Sequence, residues 1–168
     1  MPRPARFGVS SASEGFVPRK KAALSDANHP TVLWIDDFEP ALSLYKATME
    51  QLGFNVLTAS SGAAGLKLFM LGHVDLVVTD YEMPDLKGDA VARMLKAIDA
   101  RIPIIMFSGS TAIGAHARRW LDAFCDKAGS RTHLINSIYR LLGRKHPRKL
   151  QPAPLVTSSQ DEAQRTVA

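Results

Sequence analysis

The sequence predicts an α/β fold, a three-layer sandwich in which helices cover both faces of a parallel sheet, and three observations support this prediction. Apolar runs of strand length, rich in Val and Ile, alternate five times with stretches whose apolar residues recur at helical spacing. Three of the apolar runs end on a carboxylate or an ammonium group. An apolar content of 46% over 168 residues can fill one core, and it is too small for two full domains. Such alternation implies right-handed βαβ crossovers and hence a doubly wound (βα)5 arrangement.

The predicted strands are short, continuous and rich in β-branched residues, which is typical of strands buried on both faces. They are, in chain order, Val32–Ile35, Phe54–Thr58, Leu76–Thr79, Ile102–Phe107 and Leu121–Cys125. Pro103 is compatible with the fourth of them because it lies close to the start of the strand.

The predicted helices follow the strands one by one. They are, in chain order, Pro40–Leu52, a helix from Ser60 or Ser61 to Leu71, Gly88 to about Asp99, Thr111–Trp120 and Thr132–Leu142. Gly53 and Gly72 stand where the first two helices should stop, and a serine hydroxyl can cap the start of the second. The fourth helix is weak because Gly114 lies inside it.

Charged side chains stand at the ends of three predicted strands. The segments are Thr31-Val-Leu-Trp-Ile-Asp36-Asp37, Asp75-Leu-Val-Val-Thr-Asp80 and Ala123-Phe-Cys-Asp-Lys127. In an open parallel sheet the ligand crevice lies beyond the carboxyl ends of the strands, so these groups should meet there. Such a cluster of carboxylates with one ammonium is costly unless a cation and an anion bind to it.

The net charge of +5 belongs to the two ends of the chain. Residues 1–30 carry five basic and two acidic side chains (+3), and residues 144–168 carry the same numbers (+3). The central part, 31–143, has eleven basic and twelve acidic side chains (−1). We therefore expect a disordered basic N-terminal extension, a disordered C-terminal tail and a near-neutral domain between them. Solvated tails are the more common role for such charge runs, so nucleic-acid binding is not favoured.

Several classes of protein are excluded or disfavoured by composition. No run of eighteen apolar residues is present, which excludes a transmembrane helix among these residues, and no apolar region follows Arg3 and Arg6 as a secretory signal would require. The single cysteine, Cys125, cannot form an internal disulfide and should be a buried structural thiol. These features predict a cytoplasmic protein that does not insert into a membrane.

Four motifs resemble the receiver domain of two-component response regulators. They are Val32-Leu-Trp-Ile-Asp36-Asp37, Leu76-Val-Val-Thr-Asp80-Tyr-Glu-Met-Pro84-Asp-Leu-Lys-Gly88, Ile104-Ile-Met-Phe-Ser108-Gly109 and Phe124-Cys-Asp-Lys127. The second is the most discriminating, because it contains the pattern Asp-x-x-Met-Pro-x-x-x-Gly. The resemblance covers about 31–143 and implies a flavodoxin-like sheet of order 2-1-3-4-5.

The chemistry of these residues points to phosphoryl transfer. Asp80 is the best candidate for a phosphoacceptor, because a carboxylate can form an aspartyl phosphate. Asp36 and Asp37 complete an acidic cluster that needs a divalent cation, and Mg²⁺ fits its oxygen ligands. We expect Asp37 and Asp80 as direct ligands and Asp36 largely through water. The resemblance adds the main-chain carbonyl of Glu82 as a further ligand.

Three more residues complete the expected machinery. Lys127 should place its ammonium against the phosphoryl oxygens and Ser108 should donate a hydrogen bond to them. Phe124 stands where receivers carry an aromatic residue that rotates during switching. Ala128 departs from the family, which usually has a proline after the lysine, so we expect a different geometry in this loop. The short fourth helix makes dimerisation through its face doubtful.

Taken singly, these residues have plainer interpretations. Asp36 and Asp37 could cap the helix opened by Pro40, Asp80 could begin a turn, and Lys127 could be a solvated lysine. Their conjunction favours a stand-alone receiver that accepts a phosphoryl group from a histidine kinase or a histidine phosphotransfer protein and contacts a downstream protein target. It would catalyse its own phosphorylation and dephosphorylation without being a conventional enzyme. Two alternatives stay open: a phosphorylation-independent pseudo-receiver, and nucleic-acid contact through the basic tails.

Overall fold

The computed structural model describes residues 29–110 and 113–144, which form a single five-stranded parallel sheet with helices on both faces. The strands are β1 Thr31–Ile35, β2 Asn55–Ala59, β3 Leu76–Thr79, β4 Ile104–Ser108 and β5 Ala123–Asp126. The helices are α1 Glu39–Gln51, α2 Gly62–Leu71, α3 Gly88–Ile98, α4 Ala115–Arg118 and α5 Arg131–Leu141. The strand order is β2-β1-β3-β4-β5, so the predicted flavodoxin-like fold is confirmed. The extensions predicted to be disordered lie almost wholly outside the described residues.

Each central strand is buried at every position because each of its faces meets a helical layer. In β1, Val32 and Trp34 belong to the core beneath α1 and α5, whereas Leu33 and Ile35 belong to the core beneath α2 and α3. The register places Trp34 between Thr58 of β2 and Val78 of β3. These two cores hold the carboxyl ends of β1 and β3 side by side, which is where the acidic residues emerge.

Three strands are displaced from the predicted ranges, the second by one residue (Asn55–Ala59 instead of Phe54–Thr58) and the fourth and fifth by up to two. The fourth starts at Ile104, two residues later than predicted, and it includes Ser108 at its end. The fifth is Ala123–Asp126 instead of Leu121–Cys125, because the carboxylate of Asp122 accepts a hydrogen bond from the backbone N–H of Ile104 (2.8 Å) and so fixes where pairing begins. Contacts between a polar side chain and a distant backbone group cannot be predicted from the pattern of apolar residues.

The fourth helix, Ala115–Arg118, is much shorter than the predicted Thr111–Trp120, whose first two residues lie outside the described part of the chain. Its single turn begins after Gly114, which has an extended backbone (φ −58°, ψ 151°) and serves as the N-cap. Glycine in a helix interior costs about 1 kcal/mol relative to alanine, so the helix starts beyond it. The chain then turns back at Trp120 and Leu121 to enter β5. The fourth helix, which the sequence predicted to be weak, therefore starts later and ends earlier than predicted.

Candidate functional site

The backbone ladder continues past the strand ends and holds the site residues in place. The N–H of Asp80 donates to the carbonyl of Ile35 (2.8 Å), and the N–H of Asp36 donates to the carbonyl of Ala59 (3.1 Å). On the other side of the crevice the N–H of Lys127 donates to the carbonyl of Ser108 (3.0 Å). Asp36, Asp80 and Lys127 are therefore held by hydrogen bonds that extend the sheet.

The structure brings the three predicted carboxylates together. One oxygen from each of Asp36, Asp37 and Asp80 lies within 4.8 Å of the others. Asp36 and Asp80 are 1% and 7% exposed, whereas Asp37 is exposed. Three negative groups at this distance repel one another, and burial of two of them adds a desolvation cost. The three carboxylates therefore need positive charge close to them to be stable.

Lys127 supplies part of that charge. Its Nζ lies 2.8 Å from Oδ2 of Asp36 and 2.9 Å from Oδ2 of Asp80, so the ammonium bridges the two buried carboxylates. Burial by itself would lower the pKa of Lys127, but the hydrogen bonds to Asp36 and Asp80 and the attraction to their charges outweigh it and raise the pKa above its ordinary value. The lysine is accordingly protonated throughout the physiological range.

The carboxylates differ in how many of their oxygens are already engaged. Asp36 accepts the N–H of Phe38 (3.0 Å) on Oδ1 and Lys127 on Oδ2, and Asp80 likewise accepts the N–H of Tyr81 (2.6 Å) on Oδ1 and Lys127 on Oδ2. Asp37 receives no hydrogen bond from any residue that the structure describes. A cation entering from solvent would therefore meet Asp37 with both of its oxygens open.

The remaining predicted residues differ in their burial and in their contacts. Ser108 is fully buried at the end of β4, and its Oγ accepts the N–H of Ser110 (3.2 Å). Phe124 is half-buried against the small core around α4, with the guanidinium of Arg118 5.4 Å from its ring centroid. Glu82 is exposed, and its carboxylate faces Lys87 (4.0 Å) and not the acidic cluster.

Comparison with known proteins decides the family. The family model described as "Response regulator receiver domain" matches residues 32–136, more than half of the chain. The chain belongs to the receiver domain family of two-component response regulators.

Named relatives contain this domain as one part of a longer protein. The receiver is 30% identical over 114 residues to the autoinducer 1 sensor kinase/phosphatase LuxN of Vibrio harveyi, covering 68% of this chain and 13% of LuxN. It is 28% identical over 116 residues to the cell cycle transcriptional regulator CtrA of Caulobacter vibrioides, covering 67% of this chain and 50% of CtrA. The chain thus spans half or less of the length of these curated relatives.

Solved structures of receivers match this chain over nearly their own whole length. The response regulator TrrA of Thermotoga maritima, in complex with Mg²⁺ and BeF, has a TM-score of 0.64 at 26% identity, covering 67% of this chain and 98% of TrrA. A receiver domain from Clostridium thermocellum has a TM-score of 0.63 at 28% identity, covering 68% and 94%. Within the described part of this receiver, no helix is long and apolar enough to span a bilayer.

The loop after β3 contains a contact that the sequence did not indicate. Both carboxylate oxygens of Asp85 accept backbone N–H groups at the start of α2, from Gly62 (3.2 Å) and Ala63 (3.1 Å). These hydrogen bonds, that of Ala63 foremost, hold the pKa of Asp85 below its ordinary value. The predicted serine cap is Ser61, whose Oγ accepts the N–H of Ala64 (3.1 Å), and Asp85 is a second cap reached across 22 residues of chain.

The loop after Lys127 shows how this receiver does without the usual proline. Oδ1 of Asp126 accepts the N–H of Ala128 (2.8 Å), and the carbonyl of Asp126 accepts the N–H of Gly129 (3.0 Å). Proline at 128 would lack the first of these donors. An aspartate turn therefore shapes the segment that presents the lysine.

Proposed function

We propose that this receiver accepts a phosphoryl group on Asp80 from a phosphohistidine of a kinase or phosphotransfer protein, in a Mg²⁺-dependent reaction. The observation that carries the proposal is the bridging of Asp36 and Asp80 by Lys127 inside a cluster of three carboxylates. In the reaction the P–N bond of the phosphoimidazole breaks and its electron pair stays on the imidazole, while a carboxylate oxygen of Asp80 forms a P–O bond.

The donor set fits Mg²⁺. Hard carboxylate oxygens from three residues converge within 4.8 Å, and Mg²⁺ prefers one or two carboxylates together with waters and phosphate oxygens. Asp37 and Asp80 would bind it directly, Asp36 largely through water, and Glu82 through its main-chain carbonyl. When bound, the ion would neutralise the charge that otherwise repels a phosphoryl group.

The other site residues would act on the transferred group by position and charge. Lys127 points its ammonium at Asp80 and would move by little to meet the phosphoryl oxygens. Ser108, whose Oγ accepts the N–H of Ser110, would donate its hydroxyl hydrogen to the phosphoryl group and so draw the loop after β4 inward. Phe124 would then change its packing, and Arg118 would have to leave its ring.

The wider assignment follows from this reaction. The receiver domain would extend over 31–143, in the cytoplasm where histidine kinases phosphorylate their partners, and its output would be a contact with a downstream protein. The −1 charge of 31–143 does not favour nucleic acid as the target.

Intact-mass analysis after incubation with acetyl phosphate, with and without Mg²⁺, tests the proposal. We expect a single phosphoryl adduct that requires Mg²⁺, disappears in Asp80→Asn and persists in the control Asp89→Asn, which changes an aspartate in α3. Lys127→Ala should be phosphorylated weakly and fail to switch. An adduct at the wild-type level in Asp80→Asn would refute the site assignment.

One observation favours the second candidate, a phosphorylation-independent interaction module. The α4 helix has a single turn, Ala115–Arg118, which leaves little helix to reposition on switching. A folded protein that binds Mg²⁺ but yields no adduct would support this candidate over the phosphoacceptor.

A further inference from the structure

The ring of Phe107 lies beside the ammonium of Lys127 at the base of the site. Phe107 is the residue before Ser108 in β4 and is 4% exposed. Its ring centroid is 6.0 Å from Nζ of Lys127, which is within reach of an attraction between a cation and the ring quadrupole. Both groups are partly shielded from water, and desolvation strengthens such an attraction.

The ring is held by two aromatic neighbours. Tyr45 of α1 contacts it edge-to-face at 5.3 Å and 88°, and Trp34 of β1 does so at 6.0 Å and 83°. Trp34 and Tyr45 are themselves stacked at 4.5 Å with their planes 8° apart. Edge-to-face pairs at these distances favour one ring orientation. Phe107 therefore offers the lysine a fixed surface and not a mobile one.

Competition for the carboxylates gives this contact its importance. The ammonium of Lys127 is held by Asp36 and Asp80, which also belong to the acidic cluster. A divalent cation on that cluster would take up part of the negative charge and would repel the ammonium. The attraction from the ring of Phe107 uses no carboxylate and would persist with the cation bound.

We infer that Phe107 is a positioning residue for phosphoryl transfer, which keeps the ammonium of Lys127 in the site when its carboxylate partners are shared with a cation. The inference rests on the proposed function in that the transfer reaction is its setting. It assigns a role to a residue that the sequence marks only as part of an apolar strand.

Fluorinated phenylalanines at position 107 test the role of the ring, because they weaken its quadrupole with little change of shape. We expect the rate of adduct formation from acetyl phosphate to fall stepwise from phenylalanine through 4-fluoro to 3,4,5-trifluorophenylalanine, by roughly threefold in all. The same series in a Lys127→Ala background should be flat. Fluorination of Phe54, a buried ring that contacts Tyr139 at 5.2 Å, is the matched control and should leave the rate unchanged.

A measurement without metal or phosphate separates this inference from the proposed function. The ε-methylene protons of Lys127 should resonate upfield in the wild type compared with Phe107→Leu, because the ring current of Phe107 acts on them. Rates that do not respond to fluorination, or the absence of this difference in chemical shift, would overturn the inference. If no variant forms an adduct, the proposed function fails and the chemical shift alone decides whether the contact exists.

Discussion

Replacement of Gly88 by alanine should damage both the stability of the receiver and its reactivity. Gly88 begins α3, and its N–H donates to the carbonyl of Tyr81 (2.9 Å). A Cβ atom at this position would overlap the carbonyl oxygen of Asp80 and lie 2.9 Å from its carbonyl carbon and 3.0 Å from Cα of Tyr81. All three obstacles are backbone atoms, so no side-chain rotation can make room.

The size of the effect follows from these contacts. Overpacking a rigid site costs about 1–3 kcal/mol, and the upper part of that range applies because the backbone must move. For a domain of this size, such a loss lowers the melting temperature by roughly 10 °C. Since a displacement of about 1 Å can cost up to 100-fold in rate, a shift of Asp80 should also slow phosphorylation by roughly tenfold or more.

Thermal unfolding of Gly88→Ala and Gly114→Ala measures the effect against a matched control. A Cβ at Gly114 meets no atom within 4 Å, so that variant should melt within about 2 °C of the wild type. The reasoning fails if Gly88→Ala melts as high as the control, because the Asp80 backbone would then have yielded without cost.

Three further predictions concern residues around the site. Asp37→Asn should raise the melting temperature of the metal-free protein, because it relieves repulsion from Asp36 and Asp80. The same change should weaken Mg²⁺ binding. Thermal unfolding scans with and without Mg²⁺ check both effects. Asp85→Ala should lower the free energy of unfolding by about 1 kcal/mol, because it removes a cap of α2. Because the pKa of Asp85 is lowered on folding, urea titrations should show that loss undiminished above pH 3.8 and shrinking as the pH falls further. Ala128→Pro should destabilise the folded receiver by about 1 kcal/mol, because it deletes the N–H that Asp126 accepts. This loss is expected although proline is usual here in the family. An unchanged urea midpoint would contradict it.

The sheet could be predicted from the sequence because each strand is marked by a run of apolar residues that are neighbours in the chain. Strands buried on both faces are almost entirely apolar, as in β1 and β3, each of which contains a single threonine. The predicted Leu76–Thr79 agrees with the structure at both ends. The same reasoning located the acidic cluster, because parallel strands deliver the residues that follow them to one edge. Asp36, Asp80 and Lys127 accordingly meet where the prediction placed them.

The parts that escaped prediction depend on contacts between distant segments. The start of β5 is set by the carboxylate of Asp122 on the backbone of β4, and the start of α2 is capped partly by Asp85 from another loop. Phe107 was indistinguishable in sequence from its apolar neighbours, since only the fold places it beside Lys127. No periodicity encodes such pairings.

The cap that Asp85 places on α2 links the dynamics of two segments that are far apart in the chain. The loop after β3 is fastened through Asp85 to the first amides of α2 and through Gly88 to Tyr81. Any opening that releases Glu82 and its neighbours toward solvent must also free the amide protons of Gly62 and Ala63. Amide hydrogen exchange at these two positions would therefore record how often the loop opens, even though neither residue belongs to it.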